Sequence, residues 1–309
     1  MEISVIICTH NPRQDYLRRV LDALKAQTLP KEQWELLLID NASRQSLAKV
    51  WDLSWHPHAR HIREDDLGLT PARLRGIREA RSELLVFEDD DCELEANFLF
   101  QALQIAEKHA TLGAWGGQCF PVFEQEPPEW TKPFWGHLTV RIFSRERWSN
   151  VPAHEECIPW GAGLCIRSGI ANAYKKRVAT DPILRKLGRC GGQLLSCEDL
   201  DMALTSCDEG LGIGVFPQLQ LNHLIPKSRT QEDYLLKVVE GHAYSSLVMN
   251  ARRGETVGKP INRYRRLLGM VKRLLTMRPR ERCFCEARVR GQQRALQDII
   301  KLGLTQNAR

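Results

Sequence analysis

The chain has 309 residues, 43% hydrophobic and 27% charged, which is the balance of an ordinary globular protein and excludes disordered and collagen-like classes. Its net charge of +6 is unevenly spread: residues 251–309 hold 16 Lys and Arg against 4 Asp and Glu, so the tail carries +12 and the body −6. The ten cysteines form no CxxC pair and no zinc-finger spacing, and read as buried free thiols in a reducing compartment. The opening MEISVIICTHNPRQ lacks the basic region of a secretory signal, and no apolar stretch approaches the ~20 residues that span a bilayer, so a cytoplasmic protein is expected.

In chain order, Ile3–Cys8 is a compact apolar strand, followed by a turn at Thr9-His10-Asn11-Pro12. Tyr16–Gln27 reads as an amphipathic helix with Leu17, Val20, Leu21 and Leu24 on one face. Leu36–Ile39 is a second strand that ends on Asp40-Asn41-Ala42-Ser43, and a weaker third lies near His61–Arg63. Thr70-Pro71 opens a helix through about Arg81, with the Thr70 hydroxyl placed to cap it and proline in its first turn. Leu84–Phe87 is a fourth strand ending on Glu88-Asp89-Asp90-Asp91, and Glu95–His109 is another helix. The stretch from Trp115 to Trp160 is rich in Trp, Phe and Pro without clear periodicity, and suits a loop-rich layer, an acceptor cleft of sugar-stacking aromatic faces, or both. Farther on, the apolar run Ile213–Leu221 precedes Asn222-His223, and Glu232–Arg253 reads as a long helix.

This alternation predicts an α/β fold, a mostly parallel central sheet with helices on both faces, whose ligand binds beyond the carboxyl ends of the strands. Polar residues are massed at three such ends: Thr9 and Asn11, Asp40 and Asn41, and Asp89 to Asp91. Consecutive carboxylates delivered by an apolar strand repel one another, and a divalent cation relieves that cost; an acidic surface turn or a helix cap is the plainer reading. A P-loop ATPase is disfavoured, because no GxxxxGK[ST] is present, and Thr-His-Asn-Pro after the first strand argues against a GxGxxG dinucleotide site. In the second half, a carboxylate of Cys197-Glu198-Asp199-Leu200-Asp201 can serve as a general base or simply favour a helix N-terminus. His223 is a candidate metal or phosphate contact, and Lys227 and Arg229 can neutralise a diphosphate.

With these residues in hand, the sequence resembles the family 2 glycosyltransferases, which have a GT-A fold. Ser4–Asn11 looks like the family's opening strand and loop, and Leu38–Ser43 like its second strand, whose aspartate binds the nucleotide base. Gly68-Leu69-Thr70-Pro71-Ala72-Arg73 resembles the helix start facing the donor, although Leu74 stands where the family usually has asparagine. Phe87–Asp91 corresponds to the DxD-type metal segment, Gly161-Ala162-Gly163 to the acceptor-side glycine turn, and Glu198-Asp199 to the pair carrying the catalytic base.

The resemblance implies an inverting displacement. Asp199 is the base; Asp91 and His223 hold Mn²⁺ or Mg²⁺; Thr9, Asn11, Asp40, Arg73, Asp89 and Asp90 line the donor site. Trp160, Gly161 and Glu198 face the acceptor, and Arg229 the diphosphate. A nucleotide-sugar donor, a UDP-sugar first, and a saccharide or lipid-linked saccharide acceptor follow, in bacterial polysaccharide or lipopolysaccharide synthesis. Residues 1–230 are expected to form the GT-A domain and 231–309 a helical, basic extension. Within that extension, Asn262–Leu275 interleaves Arg and Lys with Leu, Met and Val, a composition suited to the inner face of the cell membrane or to packing on the acidic body. No motif suggests nucleic-acid binding. The rival readings are a non-catalytic saccharide-binding scaffold and, with less support, a sugar nucleotidyltransferase.

Overall fold

Ile3, Val5 and Ile7 on one side of the first strand and Ile6 on the other need cover on both faces of a sheet. The computed structural model, which describes residues 1–181, 183–189, 194–255, 257–258 and 263–301, supplies that cover. Its strands are β1 (Ile3–Thr9), β2 (Trp34–Asn41), β3 (Ala59–Glu64), β4 (Leu84–Asp89), β5 (Cys92–Leu94), β6 (Leu112–Phe123), β7 (Arg147–Ser149), β8 (Leu164–Arg167) and β9 (Gly212–Ile225). Its helices are α1 (Gln14–Lys25), α2 (Leu69–Glu79), α3 (Phe98–Lys108), α4 (Ser168–Ala179), α5 (Glu198–Asp208), α6 (Glu232–Arg252), α7 (Arg263–Thr276) and α8 (Pro279–Lys301).

The strands form one sheet in the order β3-β2-β1-β4-β8-β6-β9-β5, with β7 against β9. β1 to β4 pair in parallel, as do β6 and β9, while β8 and β5 run antiparallel to their neighbours. On one face, Leu17, Val20, Leu21 and Leu24 of α1 and Phe98, Leu99, Ala102 and Ile105 of α3 bury Ile3, Val5, Ile7, Leu36, Leu38, Leu84 and Val86. On the other, α2 crosses β1 so closely that a Cβ at Gly76 would lie 2.4 Å from the Ile6 side chain. The carboxyl ends of β1, β2 and β4 therefore open on the same edge, the geometry expected of a ligand site in such sheets.

Several boundaries differ from the sequence reading. α2 starts at Leu69 after Gly68, so Thr70 lies inside its first turn, and its buried hydroxyl makes no hydrogen bond among the described residues rather than capping the helix. Pro71 still falls in the first turn, where its missing N–H has no intrahelical partner to lose. The stretch after Trp115 is not all loop: β6 runs to Phe123 through Gly116 and Gly117, with register shifts in its pairing to β9 between Leu112 and Ala114 and between Gly116 and Gln118. A Cβ at Gly117 would meet the Leu219 carbonyl oxygen at 1.9 Å, so this close strand approach requires glycine.

The chain divides into two compact units, residues 1–186 with 198–227 and residues 187–197 with 228–309. Within the second unit α6 and α8 pack closely, and a Cβ at Gly291 would sit 2.2 Å from the Glu240 carbonyl oxygen. The pair is tied by Arg290 to Glu240 at 2.9 Å and by Tyr244 Oη to Asp298 at 3.1 Å. Of the basic stretch, Asn262 lies outside the described residues, whereas Met270, Val271, Leu274 and Leu275 of α7 are exposed. No helix among the described residues is long and apolar enough to cross a membrane.

Candidate active site

Period-two alternation decides which carboxylates of Glu88-Asp89-Asp90-Asp91 reach the site. β4 continues to Asp89, so Glu88 shares a face with Leu84 and Val86 and points into the sheet's packed side. Both its carboxylate oxygens are buried without a hydrogen bond among the described residues. Burial first, then the charges of Asp89 and Asp91, push its carboxyl well above the ordinary carboxylate range and so favour its neutral form. The turn itself holds Asp90 and Asp91, with Asp89 at the strand end.

Asp91 meets His223 across the β5–β9 ladder. His223 Nε2 lies 3.6 Å from Asp91 Oδ2, and both residues are buried. His223 Nδ1 donates to the Leu138 carbonyl oxygen at 2.8 Å. A carbonyl only accepts, so in the neutral ring Nδ1 carries the proton and Nε2 the lone pair turned toward Asp91. This tautomer-fixing contact is the support that metal-ligating histidines usually have. A carboxylate oxygen and a basic imidazole nitrogen at this separation suit a divalent cation, and Asp91 and His223 are the residues that would hold one.

A second chain of contacts starts at Asp199, on the first turn of α5. Gly161 N–H donates to Asp199 Oδ2 at 2.7 Å. A Cβ at Gly161 would lie 2.8 Å from both Asp199 Oδ2 and Arg73 Nη2, which explains the glycine. Arg73, only 3% exposed, donates to Glu198 Oε1 at 2.8 Å and faces Asp89 Oδ1 at 3.6 Å. The carboxylate pair on α5 and the acidic turn after β4 are thus linked through one buried guanidinium. Asp199 is the half-buried member of its pair, and Glu198 the buried, ion-paired one.

The first two turns are stapled together. Asn11 N–H donates to Ser43 Oγ at 3.0 Å, and Asn11 Oδ1 accepts from the Arg44 N–H at 2.9 Å. His10 Nδ1 donates to the Asn41 carbonyl at 2.7 Å, and Asn41 Oδ1 accepts from the Gly68 N–H at 2.8 Å, reaching the start of α2. Thr9 Oγ1 donates to Asp90 Oδ2, joining β1 to the acidic turn. Asp40 accepts from the backbone N–H of Ser43 at 3.0 Å and of Leu47 at 3.2 Å, and from Arg63 at 3.0 Å. Burial alone would raise its pKa, but these hydrogen bonds outweigh it and hold the carboxyl below its usual value.

Among the described residues, four non-glycine positions have positive φ: Asn11, Ala42, Thr139 and Cys197. They follow β1, follow β2, follow the Leu138 carbonyl that holds His223, and precede Glu198. Non-glycine residues pay a steric cost in this region, and such strain concentrates at functional sites.

Of the sequence-predicted residues, the structure links Thr9 to Asp90, Asp91 to His223, and Arg73 to Asp89 and Glu198. Asn11 lies in the loop after β1, and Asp40, near the end of β2, holds the loop that follows it through Ser43 and Leu47. Trp160 is partly buried, with the Arg141 guanidinium 4.9 Å from its ring centroid. Arg229 belongs to the second unit, on the short turn Lys227–Thr230. Sequence reasoning missed Asn41 as the tie between β2 and α2, and Cys92, whose position directly after the acidic triplet was its signal.

The comparisons with known proteins converge. Among curated proteins, the glycosyltransferase AglE of Haloferax volcanii is 29% identical over 100 residues, 31% of this chain and 33% of AglE. Among solved structures, S. aureus TarS residues 1–349 in complex with UDP-GlcNAc has a TM-score of 0.54 at 14% identity, covering 100% of this chain and 93% of that one. The longer TarS chain matches at TM-score 0.54 and 17% identity over 81% of this chain, which spans 40% of its length. The match thus takes in a third of AglE and less than half of the longer TarS chain. At these identities the structural likeness speaks for the fold, the α/β GT-A architecture. The family model described as Glycosyl transferase family 2 matches residues 4–178, more than half of the sequence, and the chain belongs to that family.

Proposed function

We propose that this chain is an inverting glycosyltransferase that moves a sugar from a nucleotide-sugar donor to an acceptor hydroxyl. The observation that carries the reading is the pairing of an acidic turn, Asp89 to Asp91 with His223, with a half-buried carboxylate, Asp199, through the Arg73–Glu198 ion pair. In this reading Asp199 takes the proton of the acceptor hydroxyl as it attacks the anomeric carbon, and the Gly161 N–H orients the carboxylate. A divalent cation bound at Asp91 and His223 would neutralise charge on the leaving diphosphate. Thr9, Asn11 and Asp40 face the nucleotide, with Asp89 and Asp90 beside it. TarS residues 1–349 have been solved with UDP and with UDP-GlcNAc, which favours a UDP-sugar as the first donor to try. Trp160, Gly161 and Glu198 form the acceptor side. Assembly of a bacterial surface polysaccharide or lipopolysaccharide is the setting in which we place the reaction, inside the cell.

The test is a thermal-shift panel of UDP-, GDP-, CMP- and dTDP-sugars, each with Mn²⁺ and with EDTA. A nucleotide present at ~100 times its dissociation constant stabilises by about 2.7 kcal/mol. The reading expects one nucleotide class to stabilise the protein in Mn²⁺ and not in EDTA; no shift with any of them favours a non-catalytic scaffold.

A second reading concerns the acceptor's location. Met270, Val271, Leu274 and Leu275 recur along one side of α7 and are exposed, with Lys272 and Arg273 between them. A basic helix with such a row suits an anionic lipid surface and a lipid-linked acceptor. Flotation with phosphatidylglycerol vesicles tests it: the native chain should co-float and the Leu274→Glu/Leu275→Glu variant should not, and equal behaviour of the two removes the idea.

A further inference from the structure

One donor atom beside Asp91 and His223 has no part in the reading above. Cys92 opens β5, and its Cα lies directly across the ladder from that of His223 on β9. Directly opposed residues of an antiparallel pair project on the same face. The Cys92 sulfur is 3.6 Å from Asp91 Oδ1, and His223 Nε2 is 3.6 Å from Asp91 Oδ2. One ligand atom from each of the three residues falls within 4.8 Å of the others, and all three residues are buried.

Tetrahedral zinc, with Zn–S of about 2.3 Å and Zn–N of about 2.0–2.1 Å, holds its ligand atoms about 3.5 Å apart. Cys92 Sγ and His223 Nε2 each lie 3.6 Å from a different oxygen of the Asp91 carboxylate, and one ligand atom from each residue falls within 4.8 Å of the others, so a modest side-chain movement brings the three to that spacing. The chemistry agrees with the geometry. Magnesium and manganese favour oxygen donors, whereas a thiolate, an imidazole and a carboxylate together select zinc, which also binds divalent-metal sites more tightly than manganese in general. His223 is held in the right tautomer by Leu138, and a three-ligand site leaves a fourth position for water or a phosphate oxygen.

We propose that Asp91, Cys92 and His223 form a zinc site overlapping the catalytic-cation site, so that Zn²⁺ displaces Mn²⁺ or Mg²⁺ and arrests transfer. Zinc enters as the divalent ion, the Cys92 thiol releases its proton to solvent as the Zn–S bond forms, and no oxidation state changes. The binding claim stands on the three side chains; its regulatory consequence rests on the cation role given to Asp91 and His223 above.

The test uses the full chain with Co²⁺ as a spectroscopic stand-in for zinc and Mn²⁺ followed by electron paramagnetic resonance. The expected result is a sulfur-to-cobalt charge-transfer band with the strong visible bands of tetrahedral cobalt, abolished by Zn²⁺ and absent from Cys92→Ala and Cys92→Ser. Bound Mn²⁺ should be released by one equivalent of Zn²⁺ from the native chain. The variants should need at least ~100-fold more zinc, because losing a ligand costs more than losing an outer-shell partner. A native chain that binds Mn²⁺ but shows no sulfur band overturns the zinc site, as does a band that persists in both variants. A sulfur band in a chain that does not bind Mn²⁺ overturns instead the catalytic-cation reading and leaves the zinc site standing.

Discussion

Replacing Arg73 with methionine is the perturbation whose size can be worked most fully. Arg73 and Glu198 have side chains 4% and 5% exposed and are paired at 2.8 Å. Breaking such a pair from one side costs roughly 3–5 kcal/mol, because the buried carboxylate loses the guanidinium that faces it. Protonation sets a ceiling on that cost. An unperturbed glutamate titrates near ~4.3, and each pH unit above that value costs about 1.36 kcal/mol for a group forced to stay neutral. The ceiling is therefore about 3.7 kcal/mol at pH 7 and about 1 kcal/mol at pH 5. Losing the guanidinium disfavours the charged form of Glu198, so the loss of stability should grow as pH rises from 5 to 7. The Asp89 contact adds little, since its side chain is 38% exposed and the separation is 3.6 Å. Urea unfolding at pH 5 and pH 7 should thus show Arg73→Met destabilised by about 3–4 kcal/mol at pH 7 and by roughly 1 kcal/mol at pH 5. Adding Glu198→Gln should restore most of the pH 7 loss. A pH-independent loss, or one below ~1 kcal/mol at pH 7, would mean that the pair is not buried as described.

Two other outcomes follow from the same geometry. Asp40→Asn should cost about 1–3 kcal/mol at pH 7, because it weakens charge-assisted hydrogen bonds to Ser43, Leu47 and Arg63. Since the folded-state pKa of Asp40 is depressed, its contribution is present above the unfolded value near ~3.9 and is lost as pH falls through the folded value, so melting curves of the two proteins should converge below about pH 4. Gly161→Ala should lower turnover while leaving nucleotide binding largely intact, because the new methyl presses on Asp199 and Arg73 and not on the loops after β1 and β2. Unchanged turnover by a folded Gly161→Ala protein would show that the Gly161–Asp199 contact does not set the geometry of the reaction.

Much of the first unit was legible because its signals are local. Ile3–Thr9, Trp34–Asn41 and Leu84–Asp89 are apolar runs closed by polar turns, and α1 buries the Leu17, Val20, Leu21 and Leu24 stripe read from its period. The parallel half of the sheet and the edge where its polar ends gather follow from that alternation. What stayed hidden was non-local. β6 carries Gly116-Gly117 and Pro121, which mask its strand pattern, and its pairing with β9 is made with a residue about a hundred positions away. Glu88 looked like one more acid of the turn, and only the register of β4 shows it buried on the packed face of the sheet. Arg73 looked like a donor contact, whereas its place between Glu198 and Asp89 depends on an ion pair 125 residues apart in sequence. Thr70 shows the limit of local chemistry in another way: the cap signature is present, but α2 begins one residue earlier and buries the hydroxyl.

The measurement that bears most directly on the central claim is turnover by Asp199→Asn, using whichever nucleotide sugar stabilises the native chain in Mn²⁺. Asparagine keeps the shape and can still accept from the Gly161 N–H, but it cannot take a proton. Metal-dependent donor binding should persist while transfer falls by at least ~100-fold, the low end for general base catalysis. Native turnover by a variant that still binds the donor would contradict that claim.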